Sequence, residues 1–365
     1  MDPIAHTLVG AALAQTGARR KSAYGSAALL VGANLPDVDA LCLFAGADTA
    51  LLFRRGWTHG IPAIVLLPLL LAGFLWVCGR RSKRDRPPVR FGALLGLSYL
   101  AVTTHPALDW LNTYGVRWLM PFDDRWFYGD TLFIIDPWIW LILGGAVFLR
   151  SSYGRITLIG WTGFGFLALL LMLLVVPGLA AEKSLWFASA GAIAVLRARC
   201  GAIGELQSRR LAVAAVAVVT VYIGAMTASA RYARDAVERT LTTRGLDVGR
   251  LMVGPVPVTP FVKDVVVETP QGYRYGEARL FPGFELTLEP GWLPRSEAPV
   301  VRLAKQSPTV RGFVDWARFP FAEVEESASG ATVYLLDARY TRSRSVGFGT
   351  ARVELSREQL ETAGK

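Results

Sequence analysis

The chain contains little histidine and little cysteine, with three residues of each among 365. The cysteines, Cys42, Cys78 and Cys200, lie far apart and form no CxxC pair, which excludes a disulfide framework and a thiolate metal site. Charged residues are also scarce, at 19% of the chain, whereas 52% is hydrophobic. Long apolar runs with so little charge indicate a multi-pass membrane protein with a more polar part attached.

The net charge of +10 comes from clusters rather than from one basic surface. Before residue 231, most Lys and Arg residues lie in four short segments between apolar runs: 19–21, 80–90, 150–155 and 197–210. This distribution is typical of cytoplasmic loops under the positive-inside rule. From residue 231 onward, basic and acidic residues nearly balance, so we expect no nucleic-acid partner.

Hydropathy divides the sequence into two parts. Residues 1–230 are predicted to form an all-α polytopic membrane helix bundle. Its helices are expected at 4–16, 23–33, 60–78, 91–111, 131–149, 156–176, 184–196 and 211–230, with an ambiguous segment at 41–53. Residues 231–365 are predicted to form a soluble β-rich (α+β) domain, with strands at 265–267, 272–281, 311–316, 332–340 and 346–355. The alternation of basic segments places this domain on the extracytoplasmic side.

The three histidines, His6, His59 and His105, all lie in the first third of the chain, beside carboxylates or arginines. His105 and Asp109 stand four residues apart in an apolar run, so they share one face of a helix. Asp2 and His6 have the same spacing. Ionisable groups within the membrane are unfavourable unless they are partnered, and they indicate a functional site. One such histidine is as often structural as functional, but three together favour function.

Several carboxylates also lie within or beside the apolar runs. Asp37 and Asp39 come directly after the helix-breaking Pro36, and Asp136 is placed about two turns into the predicted helix 131–149. In the predicted topology all these groups reach the outer ends of their helices. Imidazoles with carboxylates form a mixed nitrogen and oxygen set that suits Zn²⁺, or Mn²⁺ if the carboxylates dominate. Arg55 suits recognition of a phosphate or carboxylate, or the role of an interfacial anchor.

Five motifs carry a family resemblance: MDPIAHT at 1–7, NLPDVD at 34–39, RGWTHG at 55–60, HPALDWLNTYG at 105–115 and DTLFIIDPW at 130–138. In this order they resemble the YdjM-like family of bacterial inner-membrane proteins, for which a membrane-bound, metal-dependent hydrolase activity is inferred. The resemblance covers about residues 1–180. It implies a multi-pass protein of the bacterial inner membrane.

The resemblance also implies a set of metal ligands: His6, Asp37, Asp39, His59, His105, Asp109 and Asp136. We expect Asp37, Asp109 and Arg55 to act in catalysis. One position departs from the family, because many members have histidine where this chain has Arg54. If that histidine is a ligand in those members, this chain lacks it.

Two classes of function remain open. The first is a metal-dependent hydrolase, with Zn²⁺ or Mn²⁺, acting on a phosphoester or phospholipid headgroup at the outer face of the inner membrane. Arg55, Arg117 or Arg125 would then neutralise the anionic substrate. The alternative is a non-enzymatic membrane scaffold or envelope-stress protein with a structural metal site. A transporter is less favoured because the polar groups form one outer layer.

The C-terminal domain holds no histidine or cysteine and is interpreted as a cap or as a module for an unassigned protein partner.

Overall fold

The computed structural model of the chain describes residues 1–81, 88–174, 180–295, 297–343 and 347–363. Its contacts divide into two compact units. The helical unit contains residues 1–38, 57–229 and 255–260, and the β-rich unit contains residues 39–56, 230–254 and 261–365. The predicted fold class, a helical N-terminal part followed by antiparallel sheets, is confirmed.

The helices of the first two thirds of the chain largely follow the apolar runs. They are α1 (Pro3–Gln15), α2 (Gly25–Gly32), α3 (Ala47–Phe53), α4 (Ile61–Arg81), α5 (Phe91–Trp110), α6 (Pro137–Ser151), α7 (Arg155–Leu174), α8 (Ala180–Cys200) and α9 (Glu205–Thr243). A 3₁₀ helix, Leu35–Ala45, follows α2. Helix α3 belongs to the β-rich unit, as does α9 from residue 230 onward.

Several of these helices are long enough for a membrane. Among the described residues, α4, α5, α7 and α9 have the length and apolar character to cross it. Helix α2 and the 3₁₀ helix after it form a fifth candidate, bent by 43° between its two halves. Two predicted features lie partly outside the described residues: the basic segment 80–90 at 82–87, and the run 156–176 at 175–176.

Helix α6 begins later than predicted. The expected helix 131–149 starts only at Pro137, and Asp136 is its N-cap rather than a residue two turns inside it. Asp136 is extended and its carboxylate accepts the first free N–H groups of the helix, while Pro137 is favoured at the first helical position. The apolar residues before it form a loop instead. Thr131 and Leu132 donate their backbone N–H groups to the carbonyl of Leu111, at the end of α5.

Small residues let the short helices approach the long ones closely. A Cβ atom added to Gly10 of α1 would lie 2.7 Å from the Leu29 carbonyl oxygen of α2. A Cβ atom added to Gly32 of α2 would lie 2.9 Å from the Ala101 Cβ of α5. Such small-residue contacts are typical of helix packing in membranes. They hold α1, α2 and α5 together, and these three elements carry or support the polar residues described below.

The β-rich unit contains two antiparallel sheets. One has the order β1-β2-β3-β4, and the other has the order β5-β6-β7. The strands are β1 (Leu251–Pro255), β2 (Val262–Thr269), β3 (Gly272–Arg279), β4 (Glu285–Leu288), β5 (Pro320–Ser327), β6 (Gly330–Asp337) and β7 (Thr350–Ser356). Three helices complete the unit: α10 (Pro299–Lys305), α11 (Arg311–Trp316) and α12 (Arg357–Ala363). Of the predicted strand 346–355, residue 346 lies outside the described residues.

The predicted strand 311–316 is wrong, because this segment is helix α11. Its buried aromatic residues, Phe313 and Trp316, are three apart, which places them on one face of a helix. Helix α11 packs on α3, where the Phe313 N–H donates to Asp48 Oδ1 at 2.9 Å. A Cβ atom on the neighbouring Gly312 would lie 2.3 Å from the Asp48 carbonyl, so glycine permits this approach. The packing explains why residues 39–56 group with the β-rich unit.

The β1–β4 sheet packs against the last turns of α9. Ala233, Val237 and Leu241 repeat every four residues and share a core with Val265 and other strand residues. Lys263, in the same strand, is fully buried and its Nζ makes no hydrogen bond to a described residue. Burial disfavours the charged form and lowers the pKa of the Lys263 amine to about 8.

Candidate metal centre

Helix α5 brings His105 and Asp109 to one buried face, one turn apart, as their spacing predicts. Both side chains are completely buried. The Nδ1 atom of His105 lies 2.7 Å from the Ala33 carbonyl oxygen, at the end of α2. A carbonyl only accepts, so Nδ1 donates to it, and Nε2 is the ring nitrogen that faces away from α2. This carbonyl therefore orients the imidazole, as the outer partners of metal-binding histidines do.

The Nε2 atom of His105 faces carboxylates without reaching them. It lies 3.6 Å from Oδ1 of Asp37 and 3.7 Å from Oδ2 of Asp109, which is too long for a hydrogen bond. It is buried and makes no hydrogen bond to the described residues. A buried ring nitrogen without a hydrogen-bond partner is unfavourable unless something else occupies the space between these atoms.

His59 comes from the segment just before α4. Its Nδ1 lies 2.9 Å from the Thr58 hydroxyl oxygen, and its Nε2 lies 3.2 Å from Oδ2 of Asp109. Like His105, it is fully buried. Two imidazoles from different elements therefore point at the same carboxylate.

Together, Asp37, His59, His105 and Asp109 form a group that we call the His/Asp cluster. Each offers one ligand atom, and these four atoms lie within 4.8 Å of one another. Tetrahedral Zn²⁺ holds His nitrogen and Asp oxygen at about 2.0–2.2 Å, which places neighbouring ligand atoms about 3.5 Å apart. The 3.6 and 3.7 Å between His105 Nε2 and the two carboxylates match that spacing. The buried Nε2 of His105, which makes no hydrogen bond, and the two carboxylates that face it make the donor set suitable for a divalent cation.

His6, on α1, lies against the cluster. Its ring stacks on that of His105 with centroids 3.7 Å apart, and its Nε2 lies 3.2 Å from Oδ1 of Asp109. The Met1 amino group contacts the same oxygen. Asp2 fixes the start of α1 because its carboxylate accepts the Ala5 N–H at 3.0 Å. Asp2 and His6 have the same four-residue spacing as His105 and Asp109, but the roles differ. The Asp2 carboxylate caps helix α1, whereas His105 and Asp109 both belong to the cluster.

Comparison with known proteins identifies the family of the half that carries the cluster. Residues 1–182 match the profile of the YdjM inner membrane protein family. The chain belongs to this family. The resemblance predicted from the five motifs is therefore confirmed. An inner-membrane location agrees with the apolar helices of the structure.

One curated relative adds little about activity. The uncharacterized protein YfhP of Bacillus subtilis (strain 168) is 26% identical over 146 residues, which are 40% of this chain and 41% of that protein. The match therefore spans well under half of the relative's length. No solved structure matches the chain.

Two of the seven predicted ligands have other partners. Asp136 accepts the N–H groups of Trp138 and Ile139 at 3.0 and 3.2 Å, and its second oxygen accepts the Tyr222 hydroxyl at 2.8 Å. Asp39 belongs to the β-rich unit, where it accepts the Arg55 N–H at 2.8 Å. Neither lies in the His/Asp cluster.

The predicted arginines differ in their surroundings. Arg55 is buried in the β-rich unit with a left-handed backbone (φ 53°). Arg117, in the helical unit, is buried with its guanidinium 4.8 Å from the centre of the Trp126 ring. Its neighbour Trp118 accepts the Ile61 N–H at 3.0 Å, two residues beyond His59. Arg125 is exposed and pairs with Asp123 at 2.6 Å.

Three supporting groups were not found from the sequence. The Ala33 carbonyl orients His105, Trp140 donates its indole N–H to Asp2, and Tyr222 donates to Asp136. A backbone carbonyl has no signature in a sequence. Tyr222, within the apolar run 211–230, was the one detectable signal, because a hydroxyl in a membrane helix needs a partner. Arg54, the position at which the sequence was expected to depart from the family, places its Nε 3.8 Å from Asp39 Oδ1.

Proposed function

We propose that the chain is a membrane-bound, metal-dependent hydrolase of phosphoesters, with the His/Asp cluster as its metal centre. The observation that carries this proposal is the buried Nε2 of His105, held at 3.6 and 3.7 Å from two carboxylates with no hydrogen bond of its own. Asp37, His59, His105 and Asp109 would hold Zn²⁺, or Mn²⁺. An ion of this kind lowers the pKa of water and polarises a phosphoryl oxygen.

Proton transfer and the orientation of the imidazoles are proposed to fall to side chains of the cluster. The Asp37 side chain is 14% exposed, whereas those of His59, His105 and Asp109 are 0% exposed, so the cluster opens on the Asp37 side. In phosphoester hydrolysis, water bonds to phosphorus, the bond to the leaving oxygen breaks, and a proton passes from water to that oxygen. Asp37, the most exposed of the four, is proposed to accept and return this proton. Asp109 is proposed to orient the imidazole of His6, whose Nε2 lies 3.2 Å from its Oδ1.

The substrate is proposed to be anionic and embedded in the membrane, such as a phospholipid. Arg117 supports this, because it is a buried cation in the loop that contacts the start of α4, close in sequence to His59. A guanidinium binds phosphate oxygens in a bidentate manner. Arg55 is proposed for the same role.

A second candidate function is a structural metal site in a non-enzymatic scaffold or envelope-stress protein. The burial of three of the four cluster members favours it, because structural metal sites are closed whereas catalytic sites keep one open position. The partial exposure of Asp37, the one member of the cluster that is not fully buried, favours the enzyme.

The orientation is also proposed. The basic segments between the helices support a cytoplasmic location for 80–90, 150–155 and 197–210. The His/Asp cluster and the C-terminal domain would then lie toward the extracytoplasmic face. The protein partner of that domain is not assigned.

Hydrolysis of a short-chain phospholipid by the full chain in detergent tests the activity. We expect turnover that is lost on chelation, returns when Zn²⁺ or Mn²⁺ is added, and falls at least about 100-fold in Asp37→Asn. Metal-loaded protein without turnover on any of several phosphoesters would instead favour the structural site.

A further inference from the structure

Two apolar cavities adjoin each other in the helical unit. The first, of about 430 Å³, lies between α1 and α7, with Pro3 and Thr7 in its wall. The second, of about 500 Å³, lies among α6, α7 and α8. The rings of Trp161 and Phe164 line both cavities. Each has the size of a small-molecule site, and the two meet at these rings.

Three of the four polar side chains in the walls of the second cavity are bonded within the protein. The Thr162 hydroxyl donates to the Leu158 carbonyl at 2.9 Å, and the Trp186 indole N–H donates to the Pro137 carbonyl at 3.0 Å. The Trp140 indole N–H donates to Asp2 at 3.1 Å. Apart from the Trp161 indole N–H, these walls therefore present carbon surface to an occupant, which favours a hydrocarbon over a polar ligand.

Glycines leave the wall open at two facing positions. A Cβ atom built on Gly165 of α7, or on Gly191 of α8, would meet no atom within 4 Å. Both glycines line the second cavity, so space for an occupant extends down to the backbone. A flexible chain that lies in an open apolar groove of this size gains dispersion contacts with the lining.

Membrane lipid beside helix α7 supplies such a flexible hydrocarbon chain. Helix α7 is long and apolar enough to cross a membrane, and only 11% of its most apolar window is buried within the protein. Its other faces therefore meet lipid, and acyl chains are the medium beside the cavity. At the opposite end, Pro3 and Thr7 belong to α1, which also carries His6 of the cluster region.

We propose that the two cavities bind an acyl chain of a membrane lipid, whose polar headgroup extends toward the His/Asp cluster. Binding of the chain stands on the cavities themselves, whereas the fate of the headgroup rests on the proposed hydrolase function. The ligand class is thus a glycerophospholipid rather than a soluble phosphoester.

Photolabelling tests the proposal. The full chain in nanodiscs is labelled with a phosphatidylethanolamine that carries a diazirine midway along one acyl chain, and unlabelled lipid competes. Gly165→Leu and Gly191→Leu fill the second cavity from opposite walls, and leucine favours helix more than glycine does. Gly163→Leu is the matched control, since Gly163 is also open but lines neither cavity.

We expect saturable labelling on α7 and α8 in the wild type and the control, reduced about tenfold in both cavity variants. Equal labelling in all four proteins, or labelling that no competitor reduces, would overturn the proposal. Loss of a dimer in the cavity variants would assign the space to a second copy and would also overturn it. Metal content and hydrolysis of a water-soluble phosphodiester, measured on the same samples, report the proposed function separately.

Discussion

At the scale of single residues, Asp109 connects the polar side chains of the helical unit. One oxygen lies 3.2 Å from His6 Nε2, and the other lies 3.2 Å from His59 Nε2. A carboxylate so enclosed is unfavourable unless positive charge compensates it. The Met1 amino group contacts one of these oxygens and supplies part of that charge. The buried Nε2 of His105, which faces the other oxygen without a hydrogen bond, favours a divalent cation as the source of the rest.

The arginines give a prediction that separates substrate binding from metal binding. Arg55→Gln and Arg117→Gln should each raise KM for an anionic phosphoester about tenfold, because a charge-assisted hydrogen bond contributes about 1.5–3 kcal/mol. Metal content should not change. Arg125→Gln is the control, because Arg125 is exposed and already paired with Asp123. Steady-state kinetics with elemental analysis of each variant measures both quantities, and equal kinetics in all three would remove arginine from substrate recognition.

Lys263 gives a prediction about pH. Its pKa is about 8 in the folded protein, below the ordinary value of 10.5, so between these values the unfolded chain binds more protons. Stability should therefore rise as pH rises from 8 to 10.5, with the full penalty present below pH 8. Lys263→Met should remove this rise and increase the free energy of unfolding at pH 7 by about 3 kcal/mol.

Chemical denaturation of the full chain in detergent, from pH 7 to 10.5, measures this effect. Lys305→Met removes one positive charge from the partly exposed helix α10 and serves as the control. A wild-type protein and a Lys263→Met variant with parallel pH profiles would show that the amine is not buried as described.

Much of the candidate site could be predicted at this scale. His59, His105 and Asp109 were detectable because ionisable residues stand out against apolar runs. Asp136 and Asp39 stand out equally, yet both have other partners, a helix start and the Arg55 N–H. Hydropathy marks a polar residue as partnered, but only the fold shows which partner it has.

At the scale of elements, the start of α6 depends on Asp136. Asp136→Ala removes an N-cap and leaves the buried Tyr222 hydroxyl without an acceptor, so we expect a loss of about 1–3 kcal/mol in stability. Metal content should be unchanged. Thermal unfolding and elemental analysis of the variant test this, with Asp124→Ala in the preceding loop as the control. Loss of metal together with the cap would return Asp136 to the list of ligands.

The errors in element prediction have physical causes. The run 131–136 was assigned to a helix because apolar composition cannot show that its N–H groups bond to the Leu111 carbonyl, twenty residues earlier. The segment 311–316 was assigned to a strand because six residues are too few to distinguish the two periodicities. The long apolar helices could be predicted, because the length and hydropathy of an apolar run are enough to identify such a helix.

At the scale of the whole molecule, the orientation can be tested with reporters. The distribution of Lys and Arg predicts a cytoplasmic segment at 80–90 and an extracytoplasmic C-terminus. A reporter active only outside the cytoplasm should be active when fused after Lys365 and inactive when inserted at residue 85. A cytoplasmic reporter at the same two places is the control. The opposite pattern would place the His/Asp cluster near the cytoplasmic face.

The central claim is that the His/Asp cluster binds a metal, and elemental analysis of the purified full chain tests it most directly. We expect about one Zn²⁺ or Mn²⁺ per chain in the wild type and none in His105→Ala. Ser98→Ala should keep the metal, because Ser98 is buried in the same helix but lies outside the cluster. Wild-type protein without metal after purification in the presence of Zn²⁺ and Mn²⁺, or His105→Ala with full occupancy, would contradict the account.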